Sequence, residues 1–100
     1  MIVNFEKEGT TLTAKPEGRL DSVNSPGFEQ RLEQEMDSSV TEVIIDLEKV
    51  EYVSSGGLRV LLGTQQEMED RDGTMKVIHV SDPIMKIFDI VGFLEILTVE

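Results

Sequence analysis

The sequence predicts an α/β domain: a mixed sheet of about five strands with about three main helices, in the order β-β-α-β-α-β-α-β. Three observations carry this. Two short apolar stretches near the start flank a Glu8-Gly9-Thr10 turn and read as a hairpin. Three later segments repeat apolar residues at three- and four-residue spacing, as helices with one buried face do. Between those segments lie apolar runs too short for helices. Strands that alternate with helices imply largely parallel pairing with right-handed crossovers.

Each element follows in turn. Ile2-Val3-Asn4-Phe5 and Thr11-Leu12-Thr13-Ala14 form the hairpin strands, and Pro16, Gly18 and Asp21 are read as ending the second. Asn24 or Ser25 caps the first helix, with Pro26 near its first position. Phe28, Leu32 and Met36 give it one apolar face, and Asp37-Ser38-Ser39 is its exit loop. Val43 to Leu47 is the most apolar strand, a nearly continuous run that fits a strand covered on both faces. Leu58, Leu61, Leu62 and Met68 mark the next helix, which ends around Arg71-Asp72-Gly73 with Gly73 suited to the C′ position. Met75 to Val80 is a strand. Ser81-Asp82-Pro83 starts a third helix, with Ser81 or Asp82 as cap and a stripe of Ile84, Ile87, Phe88 and Val91. Gly92 stops that helix, and Ile96 to Val99 makes the last strand. No linker, repeat or low-complexity segment interrupts the chain, so residues 1–100 read as one domain.

Composition narrows the function classes. Hydrophobic content of 39% fits a folded domain. With no cysteine there is no disulfide framework, thiol nucleophile or thiolate metal site. The N-terminus lacks a basic segment followed by an apolar run, and no stretch reaches the length of a membrane span, so no signal peptide and a cytoplasmic location are expected. The net charge of −11 repels nucleic acid phosphates and anionic lipid. No direct contact with nucleic acid or membrane is expected; a basic protein surface is the favoured partner, with plain solubility as the other use of the charge.

One junction stands out, Tyr52-Val53-Ser54-Ser55-Gly56-Gly57-Leu58-Arg59, where an apolar strand hands over to a helix. The first four N–H groups of a helix have no internal partner and carry partial positive charge. Such a site suits an oxyanion, including a phosphate attached to one of its own serines. The ordinary use of Ser here is an N-cap, and of Gly a tight turn or close backbone approach. Other chemistry is sparse. The single histidine, His79, lies between Ile78 and Val80 and reads as a packed or edge residue. A small hydrolase would have to pair it with Ser55, and the G-x-S-x-G elbow is missing. Neither phosphate-binding glycine motif occurs. Glu67, Glu69, Asp70 and Asp72 spread around a helix end as a solvated face. No catalytic residue, cofactor or metal site is expected, which leaves a regulatory or binding role.

The run from Val43 to Leu58, with Ser54-Ser55-Gly56-Gly57-Leu58 at its end, resembles the signature of STAS domains, and specifically of bacterial anti-sigma factor antagonists. Gly18-Arg19-Leu20-Asp21 and Ile84 to Phe93 are similar to flanking segments of that family, in the right order. The resemblance implies a partner-switching cycle. The unphosphorylated antagonist binds an anti-sigma factor that is also a serine kinase, which frees the sigma factor for transcription. The kinase, which binds the ATP, then phosphorylates a serine at this junction; the complex separates and a phosphatase resets it. Aligning Gly57-Leu58 with the family's Gly-Leu puts Ser55 at the acceptor position, with Ser54 as the alternative. Asp21 matches an acidic residue beside the acceptor, and Asn24 belongs to the same loop. The implied partner surface comprises Asp21, Asn24, Ser54, Ser55, Gly56, Gly57, Leu58, Arg59 and Leu62, on a monomer. Many antagonists carry Asp before the acceptor and Ser or Thr after it, where this chain has Ser54 and Gly56. These departures keep a second function open: an unphosphorylated STAS-type scaffold or regulatory subunit, such as the cytoplasmic part of a membrane transporter.

Overall fold

The computed structural model describes all 100 residues, Met1–Glu100. In chain order the elements are β1 (Ile2–Glu8), β2 (Thr11–Leu20), α1 (Ser25–Glu35), β3 (Glu42–Asp46), β4 (Val50–Val53), α2 (Ser55–Asp70), β5 (Thr74–Ile78), α3 (Asp82–Ile90), a 3-10 turn (Phe93–Glu95) and β6 (Thr98–Val99). The sheet runs β1-β2-β3-β5-β6, with β4 paired to β2. Only β1–β2 is antiparallel; every other pair is parallel. The hairpin, the helix–strand alternation and the mixed sheet are as the sequence predicts. No helix is long and apolar enough to cross a membrane.

Of the three residues expected to end β2, Asp21 does lie just past its end, but Pro16 and Gly18 do not end it. The strand continues to Leu20. β3 pairs with residues 11–14 and β4 with residues 18–20, so Pro16, which has no N–H to donate, lies where β2 pairs with β1 alone. Gly18 has φ +99°, and just after it the register with β4 shifts by one residue, a bulge that leaves Glu51 of β4 unpaired. β4 itself is an extra strand between β3 and α2, absent from the expected order.

β3 is not covered on both faces. Val43, Ile45 and Leu47 are fully buried while Glu42, Ile44 and Asp46 remain half-exposed. β2 and β5 alternate in the same way. One face of the sheet therefore carries the core, against Phe28 and Leu32 of α1, Leu61 and Met68 of α2, and Ile84 and Phe88 of α3. Of the α3 stripe, Val91 falls outside: it is the C-cap, nearly half exposed, and Gly92 at φ +80° ends the helix behind it. The 3-10 turn takes up Phe93–Glu95, which shortens the expected last strand to Thr98–Val99.

Asn24 is the N-cap residue of α1 and Ser81 that of α3, both among the expected caps, but neither side chain makes a capping hydrogen bond. Ser25 does not cap α1 either; it is buried and its hydroxyl has no partner. Instead the Asp21 carboxylate accepts the N–H groups of Val23 (3.1 Å) and Asn24 (2.9 Å), fixing the turn that enters the helix. At the end of α2 the left-handed C′ residue is Asp72 (φ 58°), not Gly73. The Asp72 N–H reaches the Glu69 carbonyl and the Gly73 N–H the Met68 carbonyl, a Schellman closure. Gly73 is required because a Cβ there would lie 2.6 Å from the Thr41 carbonyl oxygen.

His79 sits beyond β5 at φ 55°, exposed rather than packed, with Nδ1 2.9 Å from Asp46 Oδ1. The Asp46 hydrogen bond and charge raise the imidazole pKa above its ordinary 6.5. Burial pushes the Asp46 carboxyl up, but the Glu48 N–H and His79 outweigh it, so its pKa falls below 3.8. The His79 contribution is complete below pH 6.5 and fades as pH rises through the raised folded-state value. The Asp46 contribution is present above 3.8 and fades as pH falls through its lowered value. His79→Ala should therefore lower the denaturant midpoint at pH 5.5 and much less at pH 9. An equal loss at both would show that charge on His79 does not matter to the fold.

Candidate functional site

β4 delivers the junction to its place. Val53 pairs opposite Leu20, so the next residue, Ser54, arrives at the end of β2. Its N–H donates to the Leu20 carbonyl at 2.9 Å, and its hydroxyl donates to the same oxygen at 3.2 Å. That hydroxyl also accepts the Gly57 N–H at 3.4 Å, and the Ser54 carbonyl accepts the Leu58 N–H at 2.9 Å. Ser54 is thus the N-cap of α2, with extended backbone and its hydroxyl committed in both directions. Ser55, the first helical residue, is exposed, and its hydroxyl takes part in no hydrogen bond. Two adjacent serines have opposite roles because the extended cap turns one inward and the helix turns the next outward.

The two glycines also differ. A Cβ on Gly57 would lie 2.7 Å from the Leu20 carbonyl oxygen and 2.9 Å from Val53 Cγ1. Gly57 is buried, and its missing side chain is what lets α2 approach β2. A Cβ on Gly56 would meet Ser54 Oγ, Ser22 Cα and Ser25 Cβ at 3.5 to 3.8 Å, ordinary contact distances. Leu58 is 9% exposed and belongs to the core. Of the implied surface residues, Gly57 and Leu58 therefore lie beneath it and position it. Leu62 is half-buried, while Ser55 and Arg59 face outward.

The turn between β2 and α1 packs against the start of α2, as the nearness of Ser22 to Gly56 shows. Asp21 and Asn24 are in this turn, so the structure brings them to the same corner as Ser54 and Ser55. The Asn24 amide donates to the Arg19 carbonyl at 3.0 Å, which ties the turn to β2. Sequence reasoning missed two side chains here. The Arg19 guanidinium lies 4.4 Å over the Tyr52 ring, with Nε 3.8 Å from Asp21 Oδ2. Tyr52 is 38% exposed and Val23 is 83% exposed beside Asn24. Arg19 and Tyr52 face each other because β2 and β4 pair, so no local signal reveals them.

No serine–histidine pair forms: the Ser54 hydroxyl goes to a carbonyl and His79 to Asp46. On α2, Glu67 pairs with Arg71 at 3.0 Å and Glu69 accepts the Gln65 amide. Gly57→Ala should cost about 1–3 kcal/mol through overpacking against backbone. Gly56→Ala should be neutral or stabilise by up to about 1 kcal/mol. Denaturant unfolding of both variants checks the contrast.

The STAS domain pattern matches residues 3–100 of this chain. The Staphylococcus aureus anti-sigma-B factor antagonist is 29% identical over 101 residues, covering 97% of this chain and 94% of that protein. The unphosphorylated anti-sigma factor antagonist SpoIIAA superposes with a TM-score of 0.78 at 19% identity, covering 99% of this chain and 87% of that one. The phosphorylated form of SpoIIAA, a Bacillus cell fate determinant, gives 0.78 at 20% identity, covering 99% and 91%. An anti-sigma factor antagonist from Mycobacterium paratuberculosis gives 0.87 at 21% identity, covering 98% and 83%. With its sequence matched from residue 3 to its last residue and its fold shared with these proteins, the chain belongs to the STAS domain family.

Proposed function

We propose that this protein is an anti-sigma factor antagonist, a non-enzymatic binding protein whose partner is an anti-sigma factor that is also a serine kinase. Binding frees a sigma factor; phosphorylation of Ser55 ends the binding, and a phosphatase restores it. The cycle would run in the cytoplasm with the chain as a monomer. The observation that carries this reading is the unequal state of the two serines. Ser54 commits its hydroxyl to the Leu20 carbonyl and the Gly57 N–H, while Ser55 presents an uncommitted hydroxyl at the exposed start of α2. The relatives named as antagonists, matched over nearly their whole length, support the partner class.

Charge makes the switch. Phosphorylation adds about 1.5 to 2 negative charges and three acceptor oxygens. At a helix N-terminus such a charge is tolerated or favoured by about 0.3–1 kcal/mol, so the fold does not need to change. Across an interface the same charge must be desolvated or face an acidic group, and like-charge contact there costs several kcal/mol. Phosphorylation therefore weakens the complex far more than it alters the domain. Asp21, Asn24, Ser54, Ser55, Gly56, Arg59 and Leu62 are the proposed contact surface, with Gly57 and Leu58 holding it from below; Arg19, Tyr52 and Val23 extend it.

Titration against the cognate anti-sigma factor tests this. Ser55→Ala should bind as wild type does and resist inactivation by kinase and ATP. Ser55→Asp should bind at least about tenfold more weakly, the equivalent of about 1.4 kcal/mol. Ser54→Ala should lose about 1 kcal/mol of stability with its cap but still be inactivated at Ser55. Equal binding by Ser55→Ala and Ser55→Asp would overturn the switch. It would favour the scaffold reading, which the departures at Ser54 and Gly56 motivate.

A further inference from the structure

We infer that Arg59 is the intramolecular counter-ion of a phosphate on Ser55, and that this pairing stabilises the modified domain. The inference rests on the phosphorylation reading above and concerns how that same residue is held once modified. Ser55 and Arg59 are four residues apart on α2 and both are exposed. Residues at this spacing are neighbours on the helix surface, about 5–6 Å apart at Cβ, and anion-before-cation is the favoured order.

Arg59 is also free to respond. Acidic residues outnumber basic ones 20 to 9 in this chain, and most cations have found a carboxylate. Lys7, Lys15, Arg19, Arg71 and Lys76 each lie within 4 Å of one. Arg31 donates to the Val3 carbonyl and sits over the Phe5 ring. Arg59 has no ion pair and covers no aromatic ring. The other unpaired cations are elsewhere, Lys49 between β3 and β4 and Lys86 on α3. Arg19, in the same corner, is already engaged by Asp21 and Tyr52. An unpaired guanidinium one helical turn from an uncommitted hydroxyl lacks a partner before modification and gains one after it. Its planar fork matches two phosphate oxygens. The pairing would fold the phosphate along α2 and leave net negative charge at the surface, so exclusion of the partner is kept while the modified state gains stability.

The test places phosphoserine at position 55 by genetic code expansion and follows its second ionisation by phosphorus NMR at low salt. The acid dissociation constant in the wild-type background should be about twice that in Arg59→Gln, the size of an ordinary helix ion pair. The difference should vanish near 1 M salt. Thermal unfolding should show a larger rise on phosphorylation in wild type than in Arg59→Gln. Identical titrations in the two backgrounds would overturn the inference, as would a change caused by Arg19→Gln and not by Arg59→Gln. Because no kinase is used, these outcomes are independent of whether a kinase modifies Ser55, which the binding titrations decide.

Discussion

The carbonyl of Leu20 is the point on which the site depends. It accepts both the N–H and the hydroxyl of Ser54, and a Cβ on Gly57 would collide with it. The end of β2, the end of β4 and the first turn of α2 are thereby locked to one oxygen. For β2 to arrive there it must run past Pro16 and through the left-handed Gly18, and β4 must exist to carry the chain alongside it. Once that contact is made, the exposure of each junction residue follows: Ser54 turned in, Ser55 turned out, Gly57 and Leu58 beneath, Arg59 back at the surface.

This arrangement separates the serine that supports the fold from the serine that is left free. The residue that satisfies a helix N–H and a strand carbonyl is Ser54; the residue left with a free hydroxyl is its neighbour. A modification at Ser55 therefore removes no bond that the fold uses, and the helix N-terminus accommodates the added charge. The electrostatic setting agrees. In a chain of net charge −11, Arg59 follows Ser55 by four residues on α2 and Arg19 pairs with Asp21, whose own role is to hold the turn into α1. Change there is local to the surface that a partner would touch.

The parts of the fold that were legible in the sequence are those with local causes. The hairpin turn at Gly9, the apolar faces of Phe28 and Leu32 and of Leu61 and Met68, and the stop at Gly92 all follow from spacing and backbone freedom. What was not legible depends on pairing between distant residues. Pro16 and Gly18 look like terminators in isolation; they are tolerated because β2 changes partners between residues 14 and 18. β4 is four residues long with its middle two exposed, too short to signal a strand without β2 beside it. The uncovered face of β3 could not be told from its apolar run, since Ile44 is as apolar as Ile45. At the site, Ser54, Ser55 and the glycines were legible as a junction. Which serine is tied and which glycine is needed for packing became visible only with Leu20 in place.

The most direct measurement is phosphate localisation by tandem mass spectrometry on the protein recovered from its native cells, under conditions in which the complex is apart. Phosphate on Ser55, with Ser54 unmodified, is the predicted result. Phosphate on Ser54, or a chain unmodified in every condition while its partner stays bound, would contradict a switch at Ser55.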